Sequence, residues 1–381
     1  MGLLSGMTVL EIGGIGPGPF CAMLLADLGA DVLRIEKPGK KDAGFEERPS
    51  ASIVGRNKSV LTLDLKSPNA VEVIKIMVRR ADAIIEGFRP GVMERLGLGP
   101  DNLMGENPAL IYGRVTGWGQ AGPWSQRAGH DINYLAVAGA LSLIGRKGEP
   151  PTVPLNLIGD YGGGGMYLAF GILSAAWAVK STGKGQVVDA AMIDGISSLM
   201  APLFEMLANG QWTRPRGENL LDGGAPWYDV YQTKDEKFLA VGAIEPKFYA
   251  AFLDGLGIDP NGLPPQYDHA GWPVLRETFS DVIRQRTQLD WMTVFDARDA
   301  CVSPVLGIHE AAAHPQMKFR GTQVDVDGVV QPAPGPRVVA EDAGSDDVLD
   351  GNTGTDAPSI LRAWGVSEED IERLRTGGGL A

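Results

Sequence analysis

Met7-Thr-Val-Leu-Glu-Ile12, then Gly13-Gly-Ile-Gly-Pro-Gly-Pro19, an apolar run from Phe20 to Gly29, and Asp31-Val-Leu-Arg-Ile-Glu36 together decide the fold. The first and last pieces are aliphatic runs of strand length, and the piece between them has helical spacing. A strand, helix and strand joined this tightly form a βαβ unit with a right-handed crossover and parallel strands. The glycines also mimic a dinucleotide fingerprint, with Glu36 about 20 residues beyond them. Pro17 and Pro19, however, remove two N–H donors that a pyrophosphate would need. A tight strand-to-helix turn, with proline opening the helix, accounts for the same residues.

The order repeats downstream. Ser59 to Leu65 reads as a strand, and Ser67 and Pro68 start a helix that runs to Arg80. Ala83-Ile-Ile-Glu86 is a strand, Gly87 to Gly91 a turn, Val92 to Leu96 a short helix, and Leu110 to Thr116 a further strand. The fold class is therefore α/β, with a large domain built on a parallel, Rossmann-like sheet. Ligands of such sheets sit beyond the C-terminal strand ends. Lys37, Lys66 and Arg89 fall there and suit phosphate groups, although a solvated charged rim would place the same residues in the same way.

With 381 residues the chain exceeds one compact core and suits two domains. Trp227 to Thr233 and Phe238 to Ile244 flank Lys234-Asp-Glu-Lys237 as a β-hairpin. The parallel order stops there, and a smaller α+β domain begins. After about Gly321 come strand-like segments at Val324 and at Arg337-Val-Val-Ala340, an acidic, Gly-rich stretch from Glu341 to Gly354, and short helices at Ala357 to Trp364 and Ser367 to Arg375.

Composition narrows the function. Apolar residues make up 44% and charged residues 21%, which suits a folded globular chain. A net charge of −13 argues against nucleic acid or an anionic membrane as partner. No uninterrupted apolar run of about 18 residues is present, so no transmembrane helix is expected. Cys21 and Cys301 are the two cysteines, and neither sits in a zinc-ligand spacing. A reducing cytoplasm is the expected location.

Two segments carry proton-transfer chemistry. Ala128-Gly-His-Asp-Ile-Asn-Tyr134 places one of four histidines before a helical pattern running from Asp131 to Leu143. The positive end of a helix disfavours a second positive charge, so a histidine there is suited to accept a proton. Asn156-Leu-Ile-Gly-Asp160-Tyr-Gly-Gly-Gly-Gly165 puts a carboxylate before four glycines and a helix from Met166 to Lys180. Glycine in a first turn costs about 1 kcal/mol relative to alanine, and is tolerated where something approaches the backbone closely. A bare helix start would accept an anion such as a thioester enolate. Each residue alone also fits a plain structural cap.

The segments LSGMTVLEIGGIGPGPFCAMLLADLGADVLRIEKP, LTLDLKS, IIEGFRPGVMERLG, RVTGWGQAGP, AGHDINY, NLIGDYGGGG, GKGQVVDAAMIDG and DGGAPWYDVY together resemble the family III CoA-transferases. AGHDINY and GAIEP are similar to members that racemise 2-methylacyl-CoA thioesters. The resemblance implies an isomerase without a cofactor, coenzyme A entering only as part of the thioester substrate. It implies CoA contacts at Lys37, Leu63, Asp64, Leu65, Lys66, Gly87, Phe88, Arg89, Arg95, Gly129, Asp131, Ile132, Asn133 and Tyr134. It implies His130 and Asp160 as the two bases, with Glu245 of the partner subunit bonded to His130. It also implies an interlocked homodimer: a large CoA-binding domain of residues 1–185 and 322–381, a linker helix and crossing at 186–225, and a small domain at 226–321. The same scaffold supports a second chemistry, CoA transfer to a carboxylate with Asp160 as nucleophile.

Overall fold

The computed structural model describes residues 2–39, 52–337 and 356–380. The acidic stretch at 341–354 and most of Arg337-Val-Val-Ala340 lie outside the described residues, as do residues 40–51. The chain divides into two compact units. The first contains residues 1–138, 155–199 and 322–381, and the second residues 139–154 and 200–321.

In the first unit the opening βαβ forms as its residues dictate. Strand β1 (Thr8–Ile12) leads into α1 (Pro17–Asp27) and β2 (Asp31–Glu36). Gly16 takes φ +72°, which a side chain resists, and Pro17 opens the helix. Strand β3 (Lys58–Thr62), helix α2 (Pro68–Val78), strand β4 (Ala83–Glu86), short helices α3 (Val92–Arg95) and α4 (Pro100–Glu106), and strand β5 (Ile111–Thr116) follow. Helix α5 (Asp131–Ala138) stops at Gly139, which adopts φ +91°, so the helical pattern read to Leu143 is broken into two pieces. A π-helix over Leu157–Met166 continues directly into α6 (Tyr167–Thr182). Strand β6 (Val187–Ala191) and α7 (Met192–Leu199) complete this part.

The sheet is wholly parallel, in the order β3-β2-β1-β4-β5-β6. Both faces are covered. Leu10, Leu33, Leu61, Ile84 and Tyr112 pack against α2 on one face, and Val9, Val32, Ile85 and Val115 pack against α1 and α6 on the other. Full burial of such side chains contributes about 1.5–3 kcal/mol each. Charge is buried too. Lys58 donates to Glu11 at 2.7 Å and to the Pro19 carbonyl at 2.8 Å, and desolvation holds the Lys58 ammonium below its ordinary pKa.

Helix α8 (Ala201–Ala208) opens the long part of the second unit, with Pro202 in its first turn. Strands β7 (Tyr228–Gln232) and β8 (Phe238–Gly242) form the expected hairpin. After α9 (Pro246–Leu256), α10 (Trp272–Ile283) and α11 (Gln288–Phe295), strand β9 (Val302–Pro304) joins β8 antiparallel. Trp227, Phe252, Phe279 and Trp291 fill this core. Helices α12 (Ile308–Ala313) and α13 (Pro315–Arg320) end the unit.

The chain then returns to the first unit as the hairpin β10 (Gln323–Val326) and β11 (Val329–Pro332), followed by α14 (Ala357–Ala363) and α15 (Glu368–Thr376). Ser367 caps α15 by accepting from Asp370 N–H, as its sequence predicts.

Among the described residues, Leu157–Thr182 is a continuous 26-residue helix long and apolar enough to cross a membrane by length and composition. Counting only uninterrupted apolar residues misses it, because Asp160 and the glycines punctuate the run. Its Leu168, Ala169, Ile172 and Ala175 nevertheless sit in the cluster that contains Ile111, Val115 and Ala190 of the sheet.

Candidate functional site

The parallel sheet gathers its C-terminal loops at one edge, with the topological switch between β1 and β4. Lys37 follows β2 and is exposed. Leu63 to Lys66 follow β3. Leu63 is fully buried in the core, so any ligand contact there would come from its backbone. Asp64 accepts from Lys66 N–H at 3.0 Å, leaving the exposed Lys66 side chain at the rim. Gly87, Phe88 and Arg89 follow β4. Phe88 packs on the core, whereas Gly87 and Arg89 are exposed. Arg95 is exposed at the end of α3.

His130 is the residue before α5 and caps it reciprocally. Its N–H donates to Asn133 Oδ1 at 3.0 Å, and its carbonyl accepts from Asn133 N–H at 2.8 Å and Tyr134 N–H at 3.2 Å. The backbone is thus fully used while the imidazole stays exposed. Tyr134 is buried and donates its phenol to the Gly129 carbonyl. Burial pushes that phenol up to about 12. Gly129 and Gly117 are required for this packing, since a Cβ on either would lie 2.7 Å or 2.0 Å from the Tyr134 ring. Ile132 and Asn133 are exposed beside it.

Asp131, expected among the ligand contacts, has a structural bond as well. It is buried, and its Oδ1 accepts the Asp160 backbone N–H at 2.7 Å. One carboxylate therefore ties the start of α5 to the start of the π-helix. A Cβ on Gly159 would fall 2.5 Å from that same oxygen, which explains glycine before Asp160.

Asp160 lies within the first turn of the π-helix, not before it. Asn156 Nδ2 donates to its Oδ2 at 3.1 Å, and Gly16 brings the loop after β1 alongside, with a hypothetical Cβ 3.7 Å from Oδ2. Burial raises the Asp160 pKa. The Asn156 hydrogen bond opposes this, the Asp131 charge adds to it, and His130 pulls the other way. His130 and Asp160 are thus near enough to feel one another's charge, and three loops converge on them.

The four glycines do other work than the sequence suggests. A Cβ on Gly163 would meet Ile196 N at 2.8 Å, on Gly164 Pro17 Cβ at 2.9 Å, and on Gly165 Phe20 Cδ1 at 2.6 Å. What approaches the backbone of Gly163 to Gly165 on that side is α7 and α1 of the same unit. π-Helices are rare, and often mark functional sites.

Glu245 stands in the second unit, at the β8–α9 turn, exposed and with no capping bond from its carboxylate. Asn156 and Asp131 were not legible as supports of Asp160. The available signal for Asn156 was its spacing, four residues before the acid on a helix start.

A pH prediction follows from Asp160. An acid whose folded pKa is raised above 3.8 favours the folded state when protonated. That stability is present below the unfolded pKa and is lost as pH rises through the folded one. Asp160→Asn, which is neutral throughout, should therefore raise the melting temperature at pH 7, and the gain should shrink as pH falls towards 4. Equal shifts at both pH values would contradict the burial-driven account.

Comparison with known proteins adds to this geometry. The sequence model of CoA-transferase family III matches residues 4–347. Alpha-methylacyl-CoA racemase of Mus musculus is 44% identical over 375 residues, covering 98% of this chain and 96% of the relative. The racemase of Homo sapiens is 44% identical over 374 residues with the same coverage, 98% and 96%. A crystal structure of a CAIB/BAIF family protein from Brucella suis matches with a TM-score of 0.79 at 25% identity, covering 95% of this chain and 99% of that one.

Proposed function

The chain belongs to CoA-transferase family III, and on that premise we propose that it is an isomerase that interconverts (R)- and (S)-2-methylacyl-CoA thioesters. The observation that carries this reading is the near-full-length identity to two racemases. The pairing of His130 with Asp160 through the Asp131 tether supports it.

The α-proton of a thioester is acidic because the enolate spreads its charge onto oxygen. A 2-methyl group makes that carbon a stereocentre. One base takes the proton from one face, and the conjugate acid of the other returns one to the opposite face. His130 is the first of this pair and Asp160 the second. An Asp160 pKa raised by burial makes its protonated form a better-matched partner for the imidazole. The enolate oxygen needs N–H donors, and α5 begins beside His130 with the free donors that every helix start carries. Glu245 enters on family resemblance, as the carboxylate that orients the imidazole. Coenzyme A is held by Lys37, Lys66, Arg89, Arg95 and the neighbouring loop backbone. The reaction needs no cofactor. Two unpaired cysteines, Cys21 and Cys301, suit a reducing compartment.

Incubating one epimer of a 2-methylacyl-CoA in deuterated water tests the proposal. Deuterium at the α-carbon together with loss of optical purity is the expected result. No exchange, with CoA passing instead to an added carboxylate, would overturn it in favour of the transferase chemistry.

A homodimer belongs to the same proposal. Met166, Phe170 and Trp177 lie along one side of the π/α6 helix and are 58%, 71% and 74% exposed. Apolar stripes of this kind mark interaction surfaces. Light scattering should give twice the 40.4 kDa chain mass, and the double change Phe170→Glu and Trp177→Glu should halve it. A monomeric native protein would overturn this part.

A further inference from the structure

Arg114 lies on β5, its side chain 7% exposed, and it has no role in the proton chemistry above. Its guanidinium reaches two carboxylates. Nε donates to Glu86 Oε1 at 2.7 Å, and Nη1 and Nη2 donate to Glu94 Oε1 and Oε2 at 2.8 and 3.3 Å. Glu86 is the last residue of β4, and Glu94 lies on α3. The other oxygen of Glu86 accepts Phe88 N–H at 2.8 Å.

These bonds have one geometric effect. The two carboxylates bracket the segment from Gly87 to Met93, and one buried cation holds both ends. The same segment carries Arg89, and Arg95 follows Glu94 directly. Gly91, at φ +84°, lets Arg95 fold back over it, since a Cβ there would lie 3.1 Å from Arg95 Nη1. Gln126 adds a bond to the Pro90 carbonyl at 3.1 Å.

A rim loop holding two exposed arginines is costly to order around an anion unless it is ordered beforehand. We infer that Arg114 is a positioning residue for substrate binding: by pairing with Glu86 and Glu94 it presets the loop that carries Arg89 and Arg95 to receive the phosphates of coenzyme A. The inference rests on reading residues 87–95 as part of the CoA site. Arginine suits the task because its planar fork grips Glu94 with two nitrogens while the third reaches Glu86, a geometry that lysine's single nitrogen does not reproduce. The exposed half of the bracket, Glu94, is 44% exposed and can be removed without opening the core.

The test measures CoA binding by calorimetry and turnover of a 2-methylacyl-CoA in four variants of the full-length protein. Arg114→Met should raise Kd for CoA and KM for the thioester about tenfold, with kcat within about twofold of wild type, because only binding geometry is lost. Glu94→Ala should shift both in the same direction by a few-fold, and it decides the matter if Arg114→Met does not fold. Arg114→Lys should recover only part of the loss. Arg89→Ala tests the underlying reading. If Arg89→Ala weakens CoA while Arg114→Met and Glu94→Ala do not, the positioning role is wrong. If Arg89→Ala also leaves CoA binding unchanged, the segment is not the CoA site. A fall in kcat at constant KM in the Arg114 or Glu94 variants would likewise overturn the inference.

Discussion

His130→Gln and Asp160→Asn each lower the rate of epimer inversion by about 10²–10⁴-fold, the range a positioned general acid–base group contributes. Two bases on opposite faces make a sharper demand as well. Inversion needs both groups, whereas exchange of the α-proton with solvent from a given epimer begins with only one. The histidine variant should therefore retain deuterium exchange from one epimer and lose it from the other, and the aspartate variant should show the mirror pattern. CoA transfer through an Asp160 nucleophile makes neither demand, since it breaks no C–H bond. The measurement is proton NMR of each pure epimer in deuterated buffer. Inversion at the wild-type rate in either variant would remove that residue from the mechanism. Tyr134 should hold the His130 loop in both variants, because its bond to the Gly129 carbonyl uses neither changed side chain.

Gly195→Ala should be strongly destabilising, because it drives backbone into backbone next to the π-helix. A Cβ at that position would lie 1.9 Å from the Gly163 carbonyl oxygen, backbone against backbone, where no rotamer change gives relief. Gly163→Ala meets the same wall from the other side, with Ile196 N at 2.8 Å. Overpacking of a close-packed contact costs about 1–3 kcal/mol and occasionally more, and here the helix carrying Asp160 must move to relieve it. Both variants should lose thermal stability and inversion rate together. Gly105→Ala in α4 is the contrast: its Cβ meets nothing within 4 Å, and exchanging glycine for alanine in a helix gains up to about 1 kcal/mol. Differential scanning calorimetry of the three variants separates these outcomes. A stable, active Gly195→Ala protein would show that α7 and the π-helix are not locked as described.

Much of the large sheet was legible because its strands are buried on both faces and read as aliphatic runs between turn residues. Ala83–Glu86 falls where the residues place it, as does the hairpin around Lys234 to Lys237. Strand β6 was not legible. Val187–Ala191 runs into α7 without a turn residue, so its pattern merges with the helix. Nothing in the local pattern marks residues 139–154 as part of the second unit. They join it through contacts such as Arg216 Nη1 donating to the Ser142 carbonyl at 2.9 Å, which span 74 positions. His130 and Asp160 stand out in the sequence by their unusual neighbours. The tether between them does not, because a buried Asp at a helix start looks the same in sequence whether it caps its own helix or holds another. The glycine run was noticed, but sequence shows that a backbone is approached, not that α1 and α7 are what approaches it.

Arg56 pairs with Asp27 near the beginning of the chain and also bonds Gln331 Oε1 at 2.9 Å, while Ile360, Leu361 and Trp364 fill the same cluster as Leu33 and Ile74. On a ribosome, those late residues emerge after the whole second unit. The first unit's sheet must then wait, with part of one face uncovered, until these residues are made, whereas the second unit is complete at residue 321. The portion encoded in the middle can thus be complete before the portion encoded first, and a translation stall after Gly321 would leave an enzyme with a finished small unit and an open, aggregation-prone large one.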